Sequence, residues 1–184
     1  GFLCLLLLVC LACNQQKPGQ SWEKLVRNTG TSSSPHATDL NKDGVLDIVL
    51  GAGAKEWEAS ANGVLAFNGQ NGELLWSAPV RNQITGSPHF QDVTGDSVAD
   101  VFIGGRSAQL VAINGATGAV LWEYLTDTGG IDFENDTSIL NFYNLQNIPD
   151  QDADGLPDLL TAYGGFVKAQ PFETGRPTGR LVVV

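Results

Sequence analysis

Between residues 33 and 78 the chain sets four short apolar stretches, at roughly 33–38, 46–51, 63–67 and 73–78, between turns rich in Gly, Asn and Asp. Apolar runs this short, bounded by turn formers and lacking a helical period, read as β-strands. Asn68-Gly69 and Asn71-Gly72 separate the third stretch from the fourth. They are the residue types that accept positive φ, so a tight hairpin is predicted there.

The pattern returns along the chain. Ser34-Pro35-His36-Ala37-Thr38-Asp39 reappears 53 positions on as Ser87-Pro88-His89-Phe90-Gln91-Asp92, and Asp47-Ile48-Val49-Leu50-Gly51 reappears at the same spacing as Asp100-Val101-Phe102-Ile103-Gly104. The stretch from Val64 to Trp76 returns 46 positions on, from Leu110 to Trp122. The shorter spacing leaves about seven extra residues in the first repeat, at 55–62, where Trp57 breaks the pattern. Trp22 precedes Leu25-Val26-Arg27-Asn28 much as Trp76 precedes Val80-Arg81-Asn82.

A third copy follows Trp122. Its acidic loop starts at Asp150, 58 positions beyond Asp92, and the extra length falls at 126–139, with Asp132, Glu134 and Asp136. A surface insertion is expected there, of the kind that often serves binding. About four strands per 46–58-residue unit predicts an all-β fold. The expected architecture is a β-propeller with about three four-stranded blades in an incomplete ring, its repeats covering 22–75, 76–121 and 122–184.

Each repeat carries an acidic loop at the same place. The loops are Asp39-Leu40-Asn41-Lys42-Asp43-Gly44-Val45-Leu46-Asp47, Asp92-Val93-Thr94-Gly95-Asp96-Ser97-Val98-Ala99-Asp100 and Asp150-Gln151-Asp152-Ala153-Asp154-Gly155-Leu156-Pro157-Asp158. All three put side-chain oxygens at positions 1, 3, 5 and 9. Calcium takes six to eight hard oxygen ligands, and alternate positions of a curled loop point into one interior. The expected ligands are therefore Asp39, Asn41, Asp43 and Asp47, then Asp92, Thr94, Asp96 and Asp100, then Asp150, Asp152, Asp154 and Asp158. The position-7 carbonyls of Val45, Val98 and Leu156 would add to them.

Gly44 and Gly155 at position 6 permit the sharp turn; Ser97 does so less easily. Three, three and four carboxylates in nine residues each repel unless a cation neutralises them. An EF-hand would need a bidentate Glu at position 12, where this chain has Leu50, Ile103 and Thr161 in strand-like runs.

These loops, each followed by an apolar strand ending in Gly51, Gly104 or Gly164-Gly165, resemble the FG-GAP repeats of the integrin α-subunit propeller. The stretches ending at Trp76 and Trp122 resemble the repeats of PQQ-binding-like propellers. The FG-GAP resemblance implies that the loops join two strands of a blade and bind calcium. The Phe-Gly pair of that family is absent, and Ser-Pro-His stands in its region.

Charge and cysteine usage narrow the rest. Twenty acidic against ten basic residues give a formal charge of −10, which excludes nucleic acid and anionic membrane surfaces as expected partners. All three cysteines, at 4, 10 and 13, fall within or at the end of the apolar run 2–13. That run is too short to cross a bilayer and fits the core of a secretory signal.

Leu11-Ala12-Cys13 resembles a bacterial lipoprotein signal, with Cys13 as the lipidated residue and a membrane tether through it, while Ala12 equally suits ordinary signal cleavage. Residues 14–21 read as a polar tether. The expected setting is a bacterial-type cell envelope or its exterior.

No thiol beyond the leader and no nucleophile elbow is left for covalent catalysis. His36 and His89 occupy equivalent positions, which favours a structural role. Trp22, Trp76 and Trp122 recur in the same way, which favours packing between blades. The leading reading is a calcium-bound, exported, non-catalytic module that binds a protein or glycan at a propeller face. The alternatives are part of a quinoprotein dehydrogenase or a calcium-dependent polysaccharide lyase, or an outer-membrane assembly scaffold.

Overall fold

A computed structural model describes residues 21–106, 109–125, 140–165 and 179–184. The leader with Cys13, the tether up to residue 20 and the insertion at 126–139 lie outside these. Twelve strands follow one another without a helix among the described residues.

The first sheet is β1 (His36–Thr38), β2 (Asp47–Gly51), β3 (Ser60–Phe67) and β4 (Leu74–Val80), antiparallel in sequence order. The second repeats it with β5 (His89–Gln91), β6 (Asp100–Gly104), β7 (Gln109–Ile113) and β8 (Val120–Leu125). Registers correspond as well: Leu50 faces Leu65 as Ile103 faces Val111. Up-and-down sheets of this kind, stacked face to face along the chain, are propeller blades.

In the third sheet β9 (Leu140–Phe142) and β10 (Gln146–Ile148) both pair with β11 (Asp158–Gly165), and β12 (Arg180–Val183) pairs with its other edge. β9 and β10 are the two halves of one interrupted inner strand. Among the described residues the third sheet is thus four-stranded, with its inner edge in two pieces. The repeat boundary expected at 75/76 also runs through β4, because Trp76 belongs to the outer strand of the first sheet and marks the end of a sequence motif rather than of a blade.

All three inner strands break at the same point. In the first two blades the upstream half shrinks to single bridges, Gly30 with Gly53 and Ile84 with Gly105. Hydroxyls take over the interrupted ladder. Thr31 Oγ1 donates to the Gly51 carbonyl at 2.6 Å, the Ser33 hydroxyl accepts from the Gly51 N–H at 3.0 Å, and Thr161 Oγ1 donates to the Tyr143 carbonyl at 3.0 Å. The first two satisfy both backbone groups of the buried Gly51, which burial would otherwise leave without partners.

Blade-to-blade contact has two parts. Val49, Val64, Ala66 and Ala78 of the first blade form one buried cluster with Val101, Ile103, Val111 and Ile113 of the second. Phe102 and Ala112, on the second blade's other face, meet Leu159 of the third. Near the inner strands the backbones themselves touch: the Ile84 N–H donates to the Ala52 carbonyl and the Phe142 N–H to the Gly105 carbonyl, both at 3.1 Å. A Cβ on Gly51 would fall 2.4 Å from Ile84, and one on Gly104 would fall 2.6 Å from Phe142. The glycines that end β2 and β6 leave room for the next blade.

Candidate functional site

The three acidic loops share one conformation. Positions 4 and 6 are left-handed in each: Lys42 and Gly44 (φ 61° and 83°), Gly95 and Ser97 (74° and 66°), Ala153 and Gly155 (65° and 93°). Left-handed non-glycine residues are uncommon. Lys42 and Ala153 adopt it at position 4 and Ser97 at position 6, so the same turn is kept across three different sequences. Ser97 takes the conformation in spite of its side chain.

Position 1 closes the turn. One oxygen of Asp39, Asp92 and Asp150 accepts the N–H of position 6 at 2.9 Å in all three loops. Position 5 supports the exit: Asp43, Asp96 and Asp154 accept the N–H of position 7 at 2.8, 2.8 and 2.7 Å. At position 3, Asn41 and Asp152 accept the N–H of position 5. The Val45 amide, aided by the Asn41 and Asn68 side chains, holds the Asp43 carboxyl below its ordinary value of 3.8. Asp150 is held below it chiefly by the Gly155 amide.

At position 9, Asp47, Asp100 and Asp158 open β2, β6 and β11 as expected of strand-opening residues, and their buried carboxylates face backbone amides. Asp47 accepts the Leu40 N–H at 2.9 Å and the Gly69 N–H at 3.0 Å. Asp100 accepts from Val93, Thr94 and Gly115, and Asp158 from Gln151. In the first two blades this residue fastens the acidic loop to the hairpin between the third and fourth strands. The contact is close: a Cβ on Gly69 or Gly115 would fall 1.9 Å from the Leu46 or Ala99 carbonyl oxygen. Asn68 and Asn114 shape that hairpin by accepting amides of their own turns, and Gly72 and Gly118 supply its positive φ.

The loops differ in how their carboxylates are arranged. In the third, ligand oxygens of Asp150, Asp152 and Asp154 all lie within 4.8 Å of one another and are exposed. No other cluster of three such side chains occurs among the described residues. In the first loop the Asn41 amide nitrogen donates to Asp43 at 3.0 Å. In the second, Lys42 reaches across from the neighbouring loop and donates to the Asp96 carbonyl at 2.7 Å. The position-7 residues Val45, Val98 and Leu156 present their amides to position 5, as described.

Around the loops, sequence-recurrent residues connect blades. Trp76 Nε1 donates to the Gly115 carbonyl at 2.7 Å, and Trp22 Nε1 to the Gly69 carbonyl at 2.9 Å. Trp122 packs on Phe102 with ring centroids 5.8 Å apart. His89 shares a 2.7 Å hydrogen bond with Asn147 of the third blade, and His36 lines the same cavity of about 220 Å³. Trp57 is no isolated contact residue: Arg106 of the second blade lies 5.3 Å from its ring centre and pairs with Glu56 at 2.7 Å. The extra residues of the first repeat thus reach across to the β6–β7 turn, a link with no signature in the repeat pattern.

The sequence model of the FAM234A/B beta-propeller matches residues 22–164. The chain belongs to that family. The match starts at Trp22 and takes in all three acidic loops, so the loops are part of the FAM234A/B propeller domain. Relatives include Protein FAM234A of Bos taurus, 30% identical over 140 residues that make up 67% of this chain and 24% of that protein. Protein FAM234A of Mus musculus is 28% identical over 183 residues, 86% of this chain and 32% of the relative. Protein FAM234A of Homo sapiens is 32% identical over 99 residues, 52% of this chain and 16% of the relative.

The chain thus spans about a quarter to a third of the first two relatives. No solved structure matches it. The propeller expected from the repeats stands. The family is FAM234A/B rather than FG-GAP or PQQ-binding proteins, and these mammalian relatives give no support to a bacterial source.

Proposed function

We propose that this FAM234A/B propeller is a calcium-stabilised, exported, non-catalytic module that presents one face to a protein or glycan partner. The observation that carries the reading is the cluster of Asp150, Asp152 and Asp154. Oxygens on opposite sides of a calcium ion at about 2.4 Å stand about 4.8 Å apart, the span within which these three carboxylates fall. The donors are hard oxygens, and their loop is held in place by backbone hydrogen bonds before any ion arrives. Ion binding would then need little reorganisation and would relieve the repulsion among them.

The third loop is the principal site, with the Leu156 carbonyl as a further donor. The shared backbone conformation extends the reading to the first and second loops, where Asn41 and Thr94 supply neutral oxygens. Calcium in this role contributes folding free energy by binding the folded chain alone. Export is supported by the apolar leader at 2–13. An acidic surface of this kind favours protein or glycan partners over nucleic acid.

Calorimetric titration of the protein with calcium tests the reading. Uptake is expected, and the double variant Asp152→Ala, Asp154→Ala is expected to lose the strongest site. No heat at millimolar calcium would refute it.

A further inference from the structure

Three residues before each of the first two acidic loops stands a histidine, and the cavity these two share has a chemistry unlike that of the loops. It measures about 220 Å³ and takes His36 from the first blade, Ser87, Pro88 and His89 from the second, and Asn144 and Leu145 from the third. No Asp, Glu, Lys or Arg lines it among the described residues. His36 and His89 hold one register, opposite Val49 and Phe102, and Gln146 takes that place in the third blade, opposite Leu160.

Contact between blades accounts for only one of the two imidazoles. His89 Nε2 shares its 2.7 Å hydrogen bond with Asn147 of the next blade. By register the second blade's counterpart of Asn147 is Phe90, which packs on the core between the first two blades and has no side-chain oxygen to offer His36. The His36 ring is exposed. Among the described residues its nitrogens, the Ser87 hydroxyl and the Asn144 side-chain amide make no hydrogen bond.

Each of these three groups can both donate and accept a hydrogen bond without carrying charge. A carboxylate ligand only accepts and calls for a cation, and an ammonium calls for an anion. The formal charge of −10 also disfavours anions over the surface as a whole. Sugar hydroxyls, which donate and accept in turn, match the set, and Pro88 and Leu145 supply an apolar wall for the C–H face of the ring. The volume lies below the range of about 300–1,000 Å³ for drug-sized ligands, which suits a single ring.

We infer that this cavity binds one neutral sugar residue of a glycan, with His36, Ser87 and Asn144 as its hydrogen-bonding groups and Pro88 and Leu145 against the ring. The inference rests on the reading of the propeller as a binding module and names glycan as what it binds. It does not rest on calcium, since no residue of the acidic loops lines the cavity.

Saturation-transfer NMR on the complete polypeptide tests it, with the methyl glycosides of glucose, galactose and mannose as probes and acetate as the anionic control. Binding of at least one glycoside is expected. His36→Ala is expected to weaken that binding about five- to tenfold, the effect of losing a hydrogen bond or two to a neutral ligand. His36→Gln restores a donor and an acceptor and is expected to retain it. Because His36 is exposed, both variants are expected to keep the parent's melting temperature. Runs in calcium and in chelator separate the two readings, because calcium uptake can fail with glycoside binding intact, and the reverse. No binding of any of the three glycosides, or binding indifferent to His36→Ala, would overturn the inference. Tighter binding of acetate than of the glycosides would do so as well, and would point to an acidic side chain of a protein as the occupant.

Discussion

The indole N–H of Trp76 lies 2.7 Å from the carbonyl oxygen of Gly115, one blade away. Gly115 is held from its other side, its N–H donating to the buried Asp100 at 3.0 Å. One glycine peptide segment thus joins the acidic loop of the second blade to the outer strand of the first. Trp76→Phe keeps most of the packing and removes the hydrogen bond, so it is expected to lower stability by about 1–3 kcal/mol. Trp76→Ala should cost about 3–5 kcal/mol. Chemical denaturation of both variants checks the ordering, and an unchanged stability in Trp76→Phe would show that the hydrogen bond contributes nothing.

The position-9 aspartates act on folding before any ion is considered. Asp100→Ala strands three amide donors in or beside the core, and roughly 2–4 kcal/mol of destabilisation is expected. Asp152→Ala, exposed and with a single amide to release, should change stability by less than about 1 kcal/mol in calcium-free buffer. Urea midpoints measured with chelator present separate the two roles.

Two glycines with nearly the same backbone make a controlled comparison. Gly44 and Gly118 have φ of 83° and 75°. A methyl added to Gly44 would meet nothing within 4 Å, whereas one added to Gly118 would sit 2.8 Å from Trp76. Gly44→Ala is expected to cost about 1–2 kcal/mol from backbone strain alone. Gly118→Ala should exceed it, since the indole must also shift. Thermal unfolding of the pair gives the difference, and the reverse order would contradict the latch geometry.

Much of this was legible in the sequence because it depends on local patterning. Strand positions, hairpins and the acidic loops follow from apolar spacing and turn residues, and their recurrence pointed to the propeller. Contacts made across blades were not legible. The rotation of Asp47 and Asp100 toward hairpin amides depends on Gly69 and Gly115 coming within van der Waals range of another loop. The grip of Glu56 and Trp57 on Arg106 occurs once and leaves no repeat signature. The broken inner strands escaped notice because Thr31 and Ser33 replace ladder bonds with hydroxyls, which apolar patterning cannot register.

Acid should weaken the loops in a defined direction. Asp43 and Asp150 are held below 3.8 by amides that stabilise their charged forms. A depressed folded value means stability that is complete above the unfolded value and lost as pH falls below 3.8 through the folded ones. Asp43→Asn keeps one accepting oxygen and cannot titrate. Its denaturation midpoint is expected to fall less steeply with acid than that of the parent, and parallel profiles would remove Asp43 from the acid response.

Comparing melting temperatures in calcium and in chelator tests the central claim most directly. With calcium about a hundredfold above its dissociation constant, mass action predicts about 2.7 kcal/mol of added stability, or a rise of about 5 °C or more. The Asp152→Ala, Asp154→Ala variant should lose most of that rise. Identical melting temperatures in the two buffers would contradict a structural ion in these loops.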